Sequence, residues 1–262
     1  MKWHRIEALL IKYYYISVNR LDRIFDIFYW PLMGMLLWGF TTYFIRDISD
    51  NSQILNIFIG GIILWTFYQR AMQDIGVYVL EDFWSRNLTN LLATPLQTSE
   101  YVAGVIILGF LRSLLTFIFL GLLGFLFYSF NIFSGGILVV VLFSIVLLLF
   151  GWFFGLFVAS LIFRYGQKIQ VFAWSVAWLI QPFSAVFYPL SSVPVWLQKI
   201  SLLFPSTYAF EGMRHAFVTG EILWKNFWIA LVIDVVLLIG AYLFFLRSVN
   251  VAKKTGLLTK ME

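Results

Sequence analysis

The chain has 262 residues, of which 61% are hydrophobic, 20% aromatic and only 12% charged. A soluble domain carries about 25% charged residues, so half that share cannot dress a globular surface in water. A soluble enzyme, a disordered tail and a nucleic-acid-binding domain are excluded on this ground, and the net charge of +5 sits in no long basic tail. With no cysteine, disulfides, thiolate zinc sites and thiol catalysis are excluded as well. The composition fits a bilayer.

Before the first apolar run, Trp3, Ile6, Leu10, Tyr13 and Ser17 recur at helical spacing, with Lys2, Arg5 and Lys12 turned elsewhere. This pattern predicts either an amphipathic helix over residues 1–23, lying in the headgroup layer, or an extension of the first span. A membrane helix needs about 20 predominantly apolar residues. Charge-free runs cover Ile27 to Ile45, Asn51 to Gln69, Ser113 to Phe163 and Ile169 to Gln198. The run from Ser113 is too long for one crossing, and Asn131 with Gly135-Gly136 supplies the turn that divides it. A last stretch from Asn226 to Leu246 is interrupted only by Asp234. The expectation is an all-α integral membrane protein, one domain over 1–262, with six transmembrane helices near 24–45, 53–80, 101–128, 136–163, 169–190 and 226–247. The first of these starts behind mixed, aromatic-rich residues and is expected to remain as an anchor, not a cleaved signal peptide.

Basic residues then divide unequally. Lys2, Arg5, Lys12, Arg20, Arg23, Arg86, Arg164, Lys168, Arg247, Lys253, Lys254 and Lys260 fall on one side; Arg46, Lys199, Arg214 and Lys225 fall on the other. The positive-inside rule puts both termini in the cytoplasm.

Two connections are unusual. The segment 81–100, EDFWSRNLTNLLATPLQTSE, predicts a short cytoplasmic helix with Leu88, Leu91 and Leu92 on one face, ended by Pro95. That face either docks into a partner's groove, lies on lipid, or packs on its own neighbours. The segment 182–212 holds Pro182, Pro189, Pro194 and Pro205, yet stays apolar between them. Too broken for a crossing and too greasy for a solvated loop, it predicts short re-entrant helices before the last span.

Inside the spans, Arg70 and Asp74 stand one helical turn apart, and Arg112 reaches Asp74 if the second and third spans are neighbours. Asp234 lies near the middle of the last span, as a cavity-lining or proton-linked carboxylate or as a packed, hydrogen-bonded one. Gly151, Gly155 and Ala159 form a small-residue ridge that predicts a close helix contact. His4 and His215 fall on opposite sides, so no histidine-based metal cluster or nucleophile triad is expected. No GxxxxGK[ST] occurs, and the chain has no nucleotide-binding P-loop.

The arrangement resembles the membrane subunits of type-2 ABC exporters. The residues that carry the likeness are Gly60-Gly61-Ile62, Asn90-Leu-Leu-Ala-Thr-Pro95, Gly104 and Leu111-Arg112. Downstream come Tyr188-Pro189-Leu190, and Phe204-Pro205 through Tyr208, Glu211 and Arg214. Many members carry an acidic-Gly-Thr pattern ahead of Leu-Leu-x-Thr-Pro; this chain has Arg86-Asn87 there, and Thr89 where an acid is common.

The resemblance implies a permease in a prokaryotic plasma membrane that exports an amphipathic or lipid-linked substrate: a drug, a lipid or a glycan on a lipid carrier. It implies no catalysis in this chain, with ATP and magnesium bound by a separate ATP-binding subunit, and a second permease copy, identical or different, beside it in lipid. A coupling helix would meet the ATPase through Arg86, Asn87, Leu88, Asn90, Leu91, Leu92, Thr94 and Pro95. An external gate would use Pro189, Pro194, Pro205, Glu211 and Arg214, and a polar network Arg70, Asp74, Arg112 and Asp234. The alternatives are an ion-coupled secondary transporter or channel using Asp234, and an intramembrane lipid enzyme, for which no cluster of His, Asp or Glu is visible.

Overall fold

A computed structural model describes residues 1–49 and 53–255, without the side chains at 46–49, 53, 54, 89, 92 and 255. The described residues are helical, with no strand among them. Helix α1 (Trp3–Val18) ends at Asn19, and α2 (Leu21–Ser49) starts two residues later. The helices α3 (Gln53–Trp84), α4 (Asn87–Ala93) and α5 (Thr98–Tyr128) follow. Next come α6 (Ile137–Tyr165), α7 (Phe172–Ile180), α8 (Val195–Ser201), α9 (Pro205–Thr219) and α10 (Trp224–Thr255).

Four stretches are long and apolar enough to cross a bilayer: Leu21–Ile45, Thr98–Tyr128, Ile137–Ile169 and Trp224–Lys254. The central helix is α3, whose 32 residues rise about 48 Å. From Ile59 to Asp82 every residue except Gln69 and Gln73 is buried, against α2, α5 and α6. The charged residues in this stretch, Arg70, Asp74, Glu81 and Asp82, are therefore buried with it and need partners in the protein. Helix α10 covers the other side of α6, together with α9.

The expected span at 169–190 is not one long helix. Helix α7 has 9 residues, a rise of about 14 Å, less than half the hydrocarbon thickness of about 30 Å. Pro182 lies in a 3₁₀ turn, Gln181–Phe183, that ends it. Beyond the turn Ala185 takes a left-handed conformation at φ 51°, which an L-residue adopts only when its surroundings hold it there. The break expected over 182–212 thus begins at Gln181, and the short helices α8 and α9 follow it.

The first helix is separate from α2 and turns Ile6, Leu9 and Tyr13 into the protein. Trp3, Ile11, Tyr14 and Tyr15 stay exposed on its other faces. It lies along α5 and α2, with Tyr13 against Tyr78 of α3, at the end of the bundle where α3 stops and α5 starts. It is not a smooth extension of the first span.

The small-residue ridge on α6 lies against α3. A Cβ added at Gly151 would sit 2.9 Å from the Ala71 Cβ, and one at Gly155 only 2.8 Å from the Met72 carbonyl oxygen. Backbones approach this closely only where a side chain is missing, and in lipid such packing replaces the hydrophobic drive between helices. Gly155→Val should therefore wedge α3 from α6 at a cost of about 1–3 kcal/mol. A lowered Tm in mild detergent measures it; Gly121→Val, where nothing lies within 4 Å, is the matched control.

Candidate functional site: the α4 end and the proline-rich end

Helix α4 is entered through Arg86, whose φ of 55° and ψ of 17° place a non-glycine residue in the left-handed region. That conformation reverses the chain between α3 and α4 in two residues. The apolar face of α4 turns inward: Leu88 is 2% exposed, and Leu91 packs with Leu96, Tyr101, Phe163 and Val249. Of the three arrangements the sequence left open, packing on the chain's own neighbours is the one adopted by Leu88 and Leu91. The Leu92 side chain lies outside the described residues. Arg86, Asn90, Ala93, Thr94 and Pro95 are exposed, and Asn87 is half-buried. Thr94 Oγ1 donates to the Leu91 carbonyl at 2.6 Å, closing the last turn before Pro95.

Three carboxylates flank α4; two of them hold α1 and the third holds the start of α2. Glu100, at the start of α5, accepts from the backbone N–H of Gln97 at 3.0 Å, from the Lys2 N–H at 2.7 Å and from Arg5 at 3.3 Å. Arg5 also donates to the Pro95 carbonyl. Asp82, in the last turns of α3, accepts from Lys12 at 2.5 Å, from the Tyr101 hydroxyl at 3.0 Å and from the Tyr13 hydroxyl. Burial first, and then the Asp82 charge, push the Tyr13 phenol well above its ordinary value, so it keeps its proton and donates. Glu81 takes Arg20 at 3.4 Å and Arg23. Both roots of α4 are thereby tied to one helix.

A second polar cluster lies one to two turns deeper. Arg112 of α5 meets Asp74 of α3 at 3.2 Å and donates to the Tyr78 hydroxyl at 2.9 Å. Arg70 stands 4.0 Å from Asp74 and binds Asp26 of α2 at 2.6 Å. Arg112 also faces Asp26, at 3.7 Å. The expected trio of Arg70, Asp74 and Arg112 is assembled; Asp26 completes it. The signal for Asp26 was a lone acid near the start of an apolar run, without a partner until α2 and α3 pack together. Asp234 does not join this cluster. It is fully buried in α10, and neither carboxylate oxygen has a hydrogen-bond partner among the described residues.

At the proline-rich end, α9 supplies bonds that the broken segment lacks. The Arg214 guanidinium donates to the carbonyls of Ala185 at 2.7 Å and Tyr188 at 3.0 Å, and pairs with Glu211 at 2.5 Å. Glu211 in turn accepts the Leu190 N–H at 2.8 Å. Thr207 donates to Phe183, and Ser184 meets Ser206 at 2.8 Å. Pro194 precedes α8 and Pro205 opens α9 at a position where the missing amide costs nothing. Pro189 is the extended residue just before the 3₁₀ turn at 190–192. A cavity of about 490 Å³ adjoins Glu211, Arg214 and His215.

A family profile described as "ABC-2 family transporter protein" matches residues 32–243, most of the chain. The chain belongs to the ABC-2 transporter family. Nothing among the curated proteins matches it in a direct search. As an ABC-2 membrane subunit it is a multi-pass transport protein, not itself catalytic, and the family implies an ATP-binding partner subunit.

Asp82→Ala should remove about 2–4 kcal/mol, because it strands a buried tyrosine hydroxyl pair and Lys12 together. A double-mutant cycle with Lys12→Met, read by unfolding in detergent, isolates the ion pair's share. At the other end, Arg214→Met should raise hydrogen exchange across 185–190 while leaving the Asp82 region protected.

Proposed function

We propose that this ABC-2 subunit is the permease of an ATP-driven exporter that moves an amphipathic or lipid-linked substrate out of the cytoplasm. Two copies form the pathway, each with its termini and α4 in the cytoplasm and each served by a separate ATP-binding subunit. Helix α3, with α7 and its broken continuation, completes six crossings.

The observation that carries this reading is the construction of the α4 end. A seven-residue helix is anchored by Leu88 from within; of the carboxylates on its two flanks, Asp82 and Glu100 are clasped by α1 and Glu81 by Arg23 of α2. A push delivered to α4 passes into α3 and α5, since only residues 85–86 and 94–97 separate them. The surface offered to an ATPase is the exposed one: Arg86, Asn90, Ala93, Thr94 and Pro95. The proline-rich end, stitched by Glu211 and Arg214, then acts as the outer gate. The gradient-driven alternative draws no support from Asp234, which is sealed in helix packing.

Purification of the tagged chain in gentle detergent should bring down a soluble partner carrying a P-loop. Ala93→Arg, on the exposed face, should abolish that association and leave the permease's Tm unchanged. Leu88→Asp should instead lower the Tm by burying an unpaired charge. A chain that comes down alone, even after crosslinking in intact membranes, would overturn the reading.

A further inference from the structure

At the α4 end, a cavity of about 250 Å³ opens between α2, α3 and α7. Its mouth is charged: Arg20, Asp22, Arg23 and Asp26 come from α2 and the residue before it, and Arg70 and Asp74 from α3. Its flanks are aromatic, formed by Trp30, Trp84 and Trp174. All three indoles are exposed, and Trp84 and Trp174 stand 6.2 Å apart with ring planes only 16° from parallel.

The side chains lining this cavity leave mostly acceptors spare; the buried Nε of Arg23 is a donor without a hydrogen-bond partner among the described residues. The arginines are engaged: Arg20 with Asp22 at 2.8 Å and with Glu81, Arg23 with Glu81, and Arg70 with Asp26 and Asp74. Asp22 takes Arg20 on both oxygens, but the other two carboxylates are only half used. Both arginine contacts of Asp26 fall on Oδ2, and its side chain is 37% exposed. Both contacts of Asp74 fall on Oδ1, while its Oδ2 is buried without a hydrogen-bond partner among the described residues. Spare acceptors beside aromatic faces favour a positively charged donor, since the ring quadrupole and the carboxylate both attract a cation and both repel an anion.

Depth along α2 adds a second requirement. From Asp22 to Trp30 the helix rises about 12 Å, so the site runs from the charged end of the span into its apolar part. A ligand must then carry an apolar body behind its charged head. We propose that this cavity binds the ammonium head of an amphipathic organic cation, with Asp26 facing the charge and Trp84 and Trp174 flanking it. The assignment names a ligand class for the exporter and rests on that reading only for the ligand's subsequent transport.

The test is calorimetric binding of decyltrimethylammonium to the full chain in nanodiscs of zwitterionic lipid. Decyl sulfate, with the same tail and opposite charge, is the control. The cation should bind at least about tenfold more tightly. Trp174→Leu and Trp84→Leu, both on exposed side chains, should each weaken it about fivefold, and Asp26→Asn about tenfold. Equal binding of the two amphiphiles would overturn the site, as would cation affinity unchanged in all three variants, which is partition into lipid only. Site and exporter reading fail separately. A chain that holds an ATPase but shows no charge preference loses the site alone; selective cation binding by a chain without an ATPase upholds the site and removes the exporter.

Discussion

Charged groups carried into or beside hydrocarbon must find their partners within the protein, and this chain meets that demand by tying helices together through carboxylates. Asp82 is the clearest instance. Its two oxygens collect a lysine and a tyrosine from α1 and another tyrosine from α5. Removing this one acid would leave three donors on two helices without that acceptor. Glu100 repeats the device with Arg5 of α1 and the Lys2 N–H, and Glu81 with Arg23 of α2, so the ends of α1, α2, α3 and α5 are braced around α4.

This brace explains how a helix of seven residues holds its shape. An isolated helix so short is marginal in water. Leu88 anchors α4 to the bundle, and the ion pairs on either flank hold its roots. Among the described side chains, Asn90 and Ala93 of α4 and the adjoining Thr94 are exposed, and polar, small groups suit an interface that must form and release during a transport cycle. The deeper cluster of Asp26, Arg70, Asp74 and Arg112 continues the same brace into the spans, linking α2, α3 and α5.

The proline-rich end solves the opposite problem. Proline removes amide donors and frees carbonyls, and in a bilayer these must be satisfied by protein. Arg214 is suited to this because its planar fork serves two carbonyls and a carboxylate together. The left-handed Ala185 is held in place by that fork. The two ends of the molecule differ in kind: one is a rigid clasp of ion pairs, the other a broken chain sewn together by side chains of a single helix.

Hydropathy, proline placement and charge asymmetry made the membrane class, most helices, the short helix over 81–100 and the broken region over 182–212 legible from residue types alone. These features are local: a run of apolar residues, or a proline, acts on its own segment whatever packs beside it. The Arg70–Asp74–Arg112 cluster was legible because helical spacing and chain order bring those residues near one another. The destinations of Glu81, Asp82 and Glu100, the addition of Asp26, and the inward turn of Leu88 and Leu91 were not. Each depends on which helix lies opposite, and a leucine face reads the same whether it meets a partner, lipid or its own bundle. The shortness of α7 belongs to the same group, since an apolar run reports burial but not where the backbone breaks. Composition decided that the chain enters a membrane; only the packing of α1, α3 and α5 decided what its charged ends hold.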